Sequence, residues 1–316
     1  MTGGSGFIGS NLVDYLVDEG HEVFNLSRHT YATNPRVLEH LGKNKNYHFF
    51  PIDLKDGIKL HKFFTENEFA VIFHLAASTH VDRSFLYPRE FLEDNVVGTF
   101  NLLEAVRHLE ERPKFVCLST DEVFGDVPPP HMCVEEERIG PRNPYSASKA
   151  SAEAYCGAYF HSFGVPVVIA RSMNNYGPRQ HPEKLIAKII TRGIRDEPFT
   201  LYGGGSTRGW IFVKDTCDAL RFLSEKGRAG GIYHIPAKDY LTVHGVATVI
   251  LSVMRKGHLF KGFSGRRLKD DERYALSGEK LGNLGWKPES SFKDGIKETI
   301  NWYANNEWFW QGVCSP

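Results

Sequence analysis

The chain opens with "MTGGSGFIGSNLVDYLVDEG" (residues 1–20), in which Gly3, Gly6 and Gly9 have the spacing G-x-x-G-x-x-G. Glycines at such positions let the backbone turn tightly and approach a pyrophosphate, while the following helix offers its N-terminal amides and the positive end of its dipole. A glycine triplet alone is weak evidence, because an ordinary Gly-rich loop has the same composition. The helical pattern that follows at once, and the strand that ends at Ser27, favour the phosphate-binding interpretation.

The opening lacks the buried strand that a dinucleotide-binding fold places before this loop. Only Met1 and Thr2 precede Gly3, although that strand normally lies in the middle of the sheet. We therefore expect the first strand to be missing, and we hypothesise that the native chain starts upstream and that Met1 stands where a strand residue belongs.

Short apolar runs rich in Val, Ile and Phe alternate with helical patterns in the first half of the chain. Such runs fit strands that are buried on both faces of a parallel sheet. The runs are HEVFNLS (21–27), YHFFPID (47–53), AVIFHLAA (70–77), KFVCLST (114–120) and PVVIARS (166–172), with a helical pattern at NVVGTFNLLEAVRHLEE (95–111). The alternation predicts a Rossmann-type doubly wound parallel α/β sheet.

The second half is more mixed, which predicts a smaller C-terminal α/β domain for the substrate. We place a dinucleotide-binding domain at 1–173 and the substrate domain mainly at 174–316, with roughly 210–235 returning to the first domain. Expected helices are EKLIAKIITRGIRD (183–196), VHGVATVILSVM (243–254) and FKDGIKETINWYANNEWFW (292–310), and expected strands are FTLYGGG (199–205) and WIFVKD (210–215).

Composition excludes several classes of function. Among 316 residues, Lys plus Arg and Asp plus Glu are both 38, so bulk charge gives no support for a nucleic-acid or membrane-surface role. No apolar stretch approaches the ~20 residues that span a bilayer. The cysteines are odd in number and lack C-x-x-C spacing, so we expect no disulfide framework, no metal site and a cytoplasmic location. They are Cys117, Cys133, Cys156, Cys217 and Cys314.

The predicted strand HEVFNLS (21–27) ends in Ser27, followed by Arg28, rather than in the acidic residue that binds the ribose of NAD. Arg28 could attract a 2′-phosphate, so NADP stays possible beside NAD. Asp53 ends the run YHFFPID (47–53), where it could meet the adenine or cap a helix.

Tyr145 and Lys149 in "NPYSASKASAEAY" (143–155) lie four residues apart, on one face of a helix. A tyrosine has a pKa of ~10, and a nearby cation can lower it by ~1–3 units. With Lys149 and an oxidised nicotinamide supplying positive charge, Tyr145 could remove a proton from a sugar hydroxyl while hydride leaves the same carbon.

Asp121 and Glu122 in "STDEVFGD" (119–126) follow a buried strand, at the edge of a parallel sheet where ligands bind. They could form a solvated acidic turn. The alternative is an acid and a base, since two close carboxyls push one pKa up and keep one of them protonated.

Five motifs together resemble the extended short-chain dehydrogenase/reductase family, and within it the nucleotide-sugar 4,6-dehydratases of the dTDP-glucose type. They are TGGSGFIGS (2–10), HLAASTHVDRS (74–84), STDEVFG (119–125), NPYSASK (143–149) and NNYGPRQHPEKLI (174–186). The resemblance implies an NAD-dependent lyase that forms a 4-keto-6-deoxyhexose, with Tyr145 oxidising C4, Glu122 removing the C5 proton, Asp121 protonating the C6 hydroxyl and Thr120 bonding the C4 oxygen. It also implies a homodimer formed by helices near 90–109 and 145–163.

The resemblance carries over further residues to the two binding sites. For the cofactor they are Gly3, Gly6, Phe7, Ile8, Gly9, Ser27, Arg28, Asp53, Leu54, Leu75, Ala76, Ala77, Thr99, Tyr145, Lys149 and Asn175. For the sugar nucleotide they are Ser78, His80, Thr120, Asn174, Lys184, Leu185, Tyr202, Arg208, Arg267 and Arg273.

Departures from the family pattern leave the substrate open. His234 stands where the family has an asparagine, so UDP-glucose or another nucleotide hexose is possible beside dTDP-glucose. His80 could be a structural histidine, and Asn174 and Asn175 could form a turn. Rival functions are a nucleotide-sugar 4-epimerase or decarboxylase on the same fold, and a non-catalytic NAD(P)-binding regulatory protein.

Overall fold

The strands follow the apolar runs of the sequence. In this computed structural model, which describes residues 1–28, 34–265 and 271–311, they are β1 (Val23–Leu26), β2 (Tyr47–Phe50), β3 (Val71–His74), β4 (Lys114–Thr120), β5 (Val167–Ser172), β6 (Asn174–Tyr176), β7 (Phe199–Leu201), β8 (Thr207–Phe212), β9 (Ile232–Ile235), β10 (Asp239–Thr242) and β11 (Phe260–Phe263). All five strands predicted in the first half are confirmed.

The helices fall between these strands. They are α1 (Phe7–Asp18), α2 (Pro35–Leu41), α3 (Gly57–Glu66), α4 (Val81–Leu86), α5 (Pro88–Phe91), α6 (Gly98–Arg107), α7 (Pro144–Phe163), α8 (Leu185–Ile194), α9 (Val213–Lys226), α10 (Val243–Met254), α11 (Glu279–Asn283), α12 (Phe292–Asn305) and α13 (Glu307–Trp310). A π-helical stretch, Leu92–Val97, joins α5 to α6, and 3-10 turns lie at Asp121–Phe124 and Gly257–Leu259.

The central sheet is parallel and doubly wound. β3, β4, β5 and β9 form a four-stranded sheet in that order, and β1 pairs with β2. Thr2 forms parallel bridges to Leu26 of β1 and to His74 of β3, so it joins the two groups of strands. The predicted Rossmann-type α/β fold is confirmed.

Met1 and Thr2 occupy the position of the expected first strand. The Met1 amino group donates to Phe24 O over 2.7 Å, and Thr2 N donates to Phe73 O over 2.9 Å. These bonds are those of a strand residue, and they fix the loop at Gly3 between β1 and β3.

Strand β4 shows why the sheet is buried on both faces. Phe115 and Cys117 point into one hydrophobic core, whereas Val116 and Leu118 point into the other, as the period of two along a strand requires. Helix α1 packs against α9 on one side, and α6 packs against α3 and α7 on the other.

The second half contains two small sheets, β10-β8-β6 and β11-β7, while β9 pairs with β5 of the central sheet. The predicted strand 210–215 is wrong beyond Phe212, because α9 begins at Val213 without a side-chain cap. The predicted helix 292–310 is interrupted at Asn306. The predicted helices 183–196 and 243–254 are confirmed as α8 (Leu185–Ile194) and α10 (Val243–Met254). In the described part of the chain no helix has both the length and the apolarity to cross a membrane.

Candidate active site

The glycine loop is a close-packed turn at the N-terminus of α1. A Cβ on Gly9 would lie 2.1 Å from Gly3 O, and one on Gly3, whose φ is +73°, would lie 2.7 Å from Ala76 N. Gly6 precedes α1 without any side-chain cap, so side chains do not take the first amides of the helix. These features fit the pyrophosphate of a dinucleotide, which needs close backbone approach and free helix amides.

The glycine loop is bound by a buried residue that was not predicted from the sequence. Asn25 of β1 is fully buried, and its Oδ1 accepts from Gly4 N over 2.8 Å. Its Nδ2 donates to Ser5 Oγ over 3.1 Å and to Tyr47 Oη over 2.8 Å. A polar residue inside the apolar run "VFNL" is the signal that could have identified it.

Arg28, at the end of β1, is bound by acidic side chains. It donates to Asp53 Oδ2 over 3.1 Å and to Asp94 Oδ2 over 2.5 Å. The alternative interpretation of Asp53 as a helix N-cap is wrong, because Asp56 caps α3, and Asp53 Oδ1 accepts instead from Lys55 N over 2.9 Å. Ser27 leads into this cluster, and Leu54 is buried beside it.

A buried polar chain lies behind the predicted cofactor residues that follow β3, Leu75–Ala77. Thr2 Oγ1 lies 2.8 Å from His74 Nδ1, and His74 Nε2 lies 2.8 Å from Thr99 Oγ1. Burial and the Lys149 charge lower the pKa of His74 to about 3, so the ring is neutral. Ala76 N donates to Thr2 Oγ1 over 3.3 Å, which ties this segment to the glycine loop.

Thr120, Asp121 and Glu122 stand at the carboxyl end of β4. Thr120 caps the 3-10 turn, its Oγ1 accepting from Glu122 N over 3.3 Å and donating to Asp121 Oδ1 over 3.1 Å. Burial, then the Glu122 charge, raises the pKa of Asp121 to about 7. Asp121 is 2% exposed, so the solvated-turn alternative is wrong and the expected rise in the pKa of one carboxyl is confirmed.

Glu122 is held by a further residue that the sequence reasoning did not select. Asn143 Nδ2 donates to Glu122 Oε2 over 3.1 Å, while Asn143 Oδ1 accepts from Ser146 N as the N-cap of α7. Burial raises the pKa of Glu122, and the Asn143 hydrogen bond and the Arg208 charge oppose this.

Tyr145 and Lys149 are both buried in the first turns of α7, as their spacing predicted. Lys149 Nζ donates to Leu118 O over 2.7 Å. The expected lowering of the Tyr145 pKa is wrong for the chain by itself. Burial, then the Glu122 and Asp121 charges, raises the Tyr145 pKa, against a hydrogen bond with Thr120.

The two asparagines after β5 both have a buried side-chain acceptor. Asn175 Nδ2 donates to Ser172 Oγ and Met173 O, both over 2.9 Å. Within the described residues, the buried Oδ1 atoms of Asn174 and Asn175 have no hydrogen-bond partner. Both residues belong to β6, which pairs with β8, so they form a strand and not the alternative turn.

Several predicted substrate residues are engaged in structural contacts. His80 Nδ1 accepts from Arg83 N over 3.4 Å as the N-cap of α4, which supports its structural interpretation. Ser78 Oγ donates to Asp94 Oδ2 over 2.7 Å. Lys184 precedes α8, which begins at Leu185, and its Nζ donates to Thr79 O over 3.4 Å.

The predicted substrate arginines differ in their contacts. Arg208 is buried, donates to Asp271 O over 2.7 Å and acts on the pKa values of both Asp121 and Glu122. Arg273 donates to Val127 O and His131 O. Arg267 lies outside the described residues.

Two other predicted positions differ in their burial. Tyr202 is 61% exposed. His234 is fully buried, with its ring 5.4 Å from that of Phe124. His234 Nδ1 lies 3.2 Å from Ser277 O, whereas its buried Nε2 has no hydrogen-bond partner among the described residues.

The parallel sheet, the glycine loop and the paired Tyr145 and Lys149 define an extended short-chain dehydrogenase/reductase. The family model for GDP-mannose 4,6 dehydratase matches residues 1–299. The dTDP-glucose 4,6-dehydratase of Xanthomonas campestris is 36% identical, with 99% of this chain and 95% of that protein covered. A probable dTDP-glucose 4,6-dehydratase of Sinorhizobium fredii is 37% identical over 98% of this chain and 94% of its own length.

Solved structures of nucleotide-sugar enzymes are also similar to this chain. A double mutant of the dTDP-glucose 4,6-dehydratase of Streptomyces venezuelae with NAD bound has a TM-score of 0.94 at 34% identity, covering 99% of this chain and 98% of that one. UDP-glucose 4-epimerase of Thermus thermophilus with NAD has a TM-score of 0.89 at 31% identity, covering 96% and 98%. The chain belongs to the nucleotide-sugar 4,6-dehydratases of the dTDP-glucose 4,6-dehydratase type.

Proposed function

We propose that the chain is an NAD-dependent dTDP-glucose 4,6-dehydratase, a hydro-lyase that converts the nucleotide hexose into its 4-keto-6-deoxy derivative. One observation carries the proposal. Two adjacent carboxyls at the end of β4 have different surroundings, so Asp121, with a pKa of about 7, can hold a proton while Glu122 accepts one. Water elimination needs this pairing of an acid with a base.

The residues of the chain divide the proton transfers among them. Tyr145, as a phenolate, takes the C4 hydroxyl proton, and the resulting ketone acidifies the C5 hydrogen. Glu122 then removes the C5 proton, and Asp121 protonates the C6 hydroxyl, which leaves as water. A proton is finally returned to C5, which completes the 4-keto-6-deoxy sugar. The chemistry that NAD supplies when bound is reversible hydride transfer, from C4 and back to C6, together with the positive charge that favours the Tyr145 phenolate.

The binding residues follow from the same arrangement. For the pyrophosphate and ribose of NAD we propose the glycine loop, the helix start at Phe7 and Ile8, and the segment Ser27–Arg28 with Asp53. The residues proposed for the sugar nucleotide are Asn174, Lys184, Arg208 and Arg273, with Thr120 on the C4 oxygen. We also propose the division into a cofactor domain at 1–173 and a substrate domain at 174–316, with 210–235 returning to the cofactor domain as the β5–β9 pairing suggests.

A 4-epimerase on the same fold is the strongest rival, since epimerases share this architecture. An epimerase needs no proton transfer at C5 or C6, and it would leave the buried Asp121 carboxyl without a role. Because His234 departs from the family pattern, dTDP- and UDP-sugars are tested together.

The decisive experiment offers the full-length protein dTDP-, UDP-, CDP- and GDP-hexoses and identifies the products by mass and NMR. We expect dTDP-glucose to give a product lighter by one water, which absorbs in alkali. Tyr145→Phe serves as the inactive control because it lacks the C4 base. A product of unchanged mass with inverted C4 would make the protein an epimerase, and conversion of UDP-glucose alone would reassign the nucleotide.

The oligomeric state proposed is a homodimer. Three aromatic residues on α6 and α7 are partly exposed: Phe100 at 37%, Tyr155 at 41% and Phe163 at 41%. The rings of Phe100 and Tyr155 are 5.8 Å apart, so they form one apolar surface that a second copy could cover. Phe100→Glu should convert a dimer to monomers in light scattering, and a monomeric wild type would contradict the proposal. A cytoplasmic location is consistent with four free buried cysteines among the described residues.

A further inference from the structure

Asn143 makes two contacts that belong to different parts of the site. Its Oδ1 accepts from Ser146 N over 2.8 Å, which caps the helix carrying Tyr145 and Lys149. Its Nδ2 donates to Glu122 Oε2 over 3.1 Å. The first contact satisfies an amide that every helix start leaves open, and Ser, Thr or Asp would serve there equally well.

The second contact explains why the capping residue is an asparagine. A serine or threonine hydroxyl lies too close to the backbone to fill both roles, and an aspartate would set a carboxylate against Glu122. Only the carboxamide of asparagine offers an acceptor to the helix and a donor to the neighbouring carboxylate on one short side chain.

The segment before α7 is fixed against the catalytic turn at more than this point. Gly140 N donates to Val123 O over 2.8 Å, and a Cβ on Gly125 would lie 2.6 Å from Gly140 O. Arg142 pairs with Asp126 at 3.6 Å and with Asp271 at 3.2 Å. Because the segment before α7 packs against the turn that carries Glu122, the Asn143–Glu122 hydrogen bond joins two segments that are already held in place.

Charged and titratable groups from several elements act on Glu122. They are Asp121 on the same turn, Tyr145 on α7, Lys184 before α8, Arg208 on β8, and Asp271 and Tyr274 from the C-terminal segment. Asn143 is the neutral donor in this group, and its hydrogen bond favours the ionised form of the carboxyl.

We propose that Asn143 is a positioning residue, which aims the Glu122 carboxylate at C5 of the sugar and fixes its distance from Tyr145, the base at C4. The inference rests on the proposed dehydratase function. Asn143 need not touch the substrate, since it acts through Glu122 and through the start of α7.

The test separates positioning from helix capping. Asn143→Ser keeps an N-cap for α7 but loses the hydrogen bond to Glu122. We therefore expect normal folding and a KM within about twofold of wild type. Solvent-deuterium exchange at C5 should be slower by about tenfold or more. The acid limb of the pH–rate profile should move to higher pH, because the Glu122 carboxylate has lost a donor. Ser146→Ala, which breaks the other half of the capping box, should lower Tm and leave the acid limb in place.

A double-mutant cycle completes the design. In a Glu122→Gln background, Asn143→Ser should add no further loss of exchange, because the two residues act as one unit. Equal losses in both backgrounds, or wild-type exchange in Asn143→Ser, would overturn the inference. If the wild type makes no keto sugar, the proposed function is wrong, and the inference about Asn143 is wrong with it. If the wild type dehydrates the substrate and Asn143→Ser exchanges C5 deuterium at the wild-type rate, only the inference about Asn143 is wrong.

Discussion

The hydroxyl of Thr120 donates to one oxygen of Asp121, whereas the other oxygen of the same carboxyl is buried without a hydrogen-bond partner in the part of the chain that the structure describes. A carboxylate in this setting is poorly solvated, so the neutral acid is favoured until about pH 7. The same burial that makes Asp121 a proton donor therefore makes its ionised form destabilising.

Asp121→Asn should lose activity and gain stability. The folded wild type binds this proton up to about pH 7, whereas the unfolded chain releases it near the ordinary pKa of 3.8. Wild-type stability therefore falls as the pH rises between these values, by up to about 4 kcal/mol for three pKa units. Asparagine cannot ionise, so the variant's advantage in Tm should grow from pH 5 to pH 7 and then level off.

The activity of Asp121→Asn should fall by about 10²–10³-fold, because the C6 hydroxyl loses its acid. Asp196→Asn is the matched control, since Asp196 is exposed and Lys256 lowers its pKa. The Tm of Asp196→Asn relative to wild type should not rise between pH 5 and pH 7. A Tm of Asp121→Asn that falls below wild type at pH 8 would contradict the assignment of a buried neutral acid.

Glu122→Gln should separate oxidation from elimination. The amide is similar in size and cannot remove the C5 proton, whereas the Tyr145 hydroxyl is unaffected. We expect the first oxidation, followed by nicotinamide absorbance, to persist while solvent-deuterium exchange at C5 falls by about 10²-fold or more. Glu136→Gln, at an exposed ion pair with Lys280, should match wild type. Unchanged dehydration in Glu122→Gln would defeat the assignment.

The sequence predicted the sheet well, because buried parallel strands leave short apolar runs between helical patterns. It failed at the junction of β8 and α9, where Val213 continues the apolar run of the strand and no capping side chain marks the helix start. Periodicity cannot separate a buried strand from a buried helix turn over so few residues.

The adjacent carboxyls Asp121 and Glu122 and the Tyr145–Lys149 pair were predictable because their spacing is local. Asn25, Asp94 and Asn143 were missed for the opposite reason. Their partners lie far away in sequence: Asn143 is 21 residues from Glu122, and Asp94 is 66 residues from Arg28. Only the fold brings such pairs together, and a single asparagine or aspartate in the sequence has many ordinary explanations.

Cofactor choice should follow the pairing of Arg28 with Asp53 and Asp94. The sequence left NADP possible, yet a 2′-phosphate would have to compete with two carboxylates for the guanidinium. We expect the apoprotein to bind NAD more tightly than NADP, as judged by calorimetry. Asp94→Asn should narrow that difference by about tenfold, because one competing charge is removed.

The control for the cofactor experiment is Asp18→Asn, an exposed change on α1 that should leave the ratio of the two affinities unaltered. Equal binding of NAD and NADP by the wild type would show that the carboxylates do not set the preference.

Gly9→Ala should abolish cofactor retention. The new methyl would lie 2.1 Å from Gly3 O, so the loop would have to move, and with it the backbone that approaches the pyrophosphate. We expect a lower Tm and an unfolding free energy smaller by more than about 1 kcal/mol. Little NAD should be released when the purified protein is denatured in acid. Gly257→Ala is the control, since a Cβ there meets nothing within 4 Å. Full NAD content in Gly9→Ala would mean that the loop does not hold the pyrophosphate.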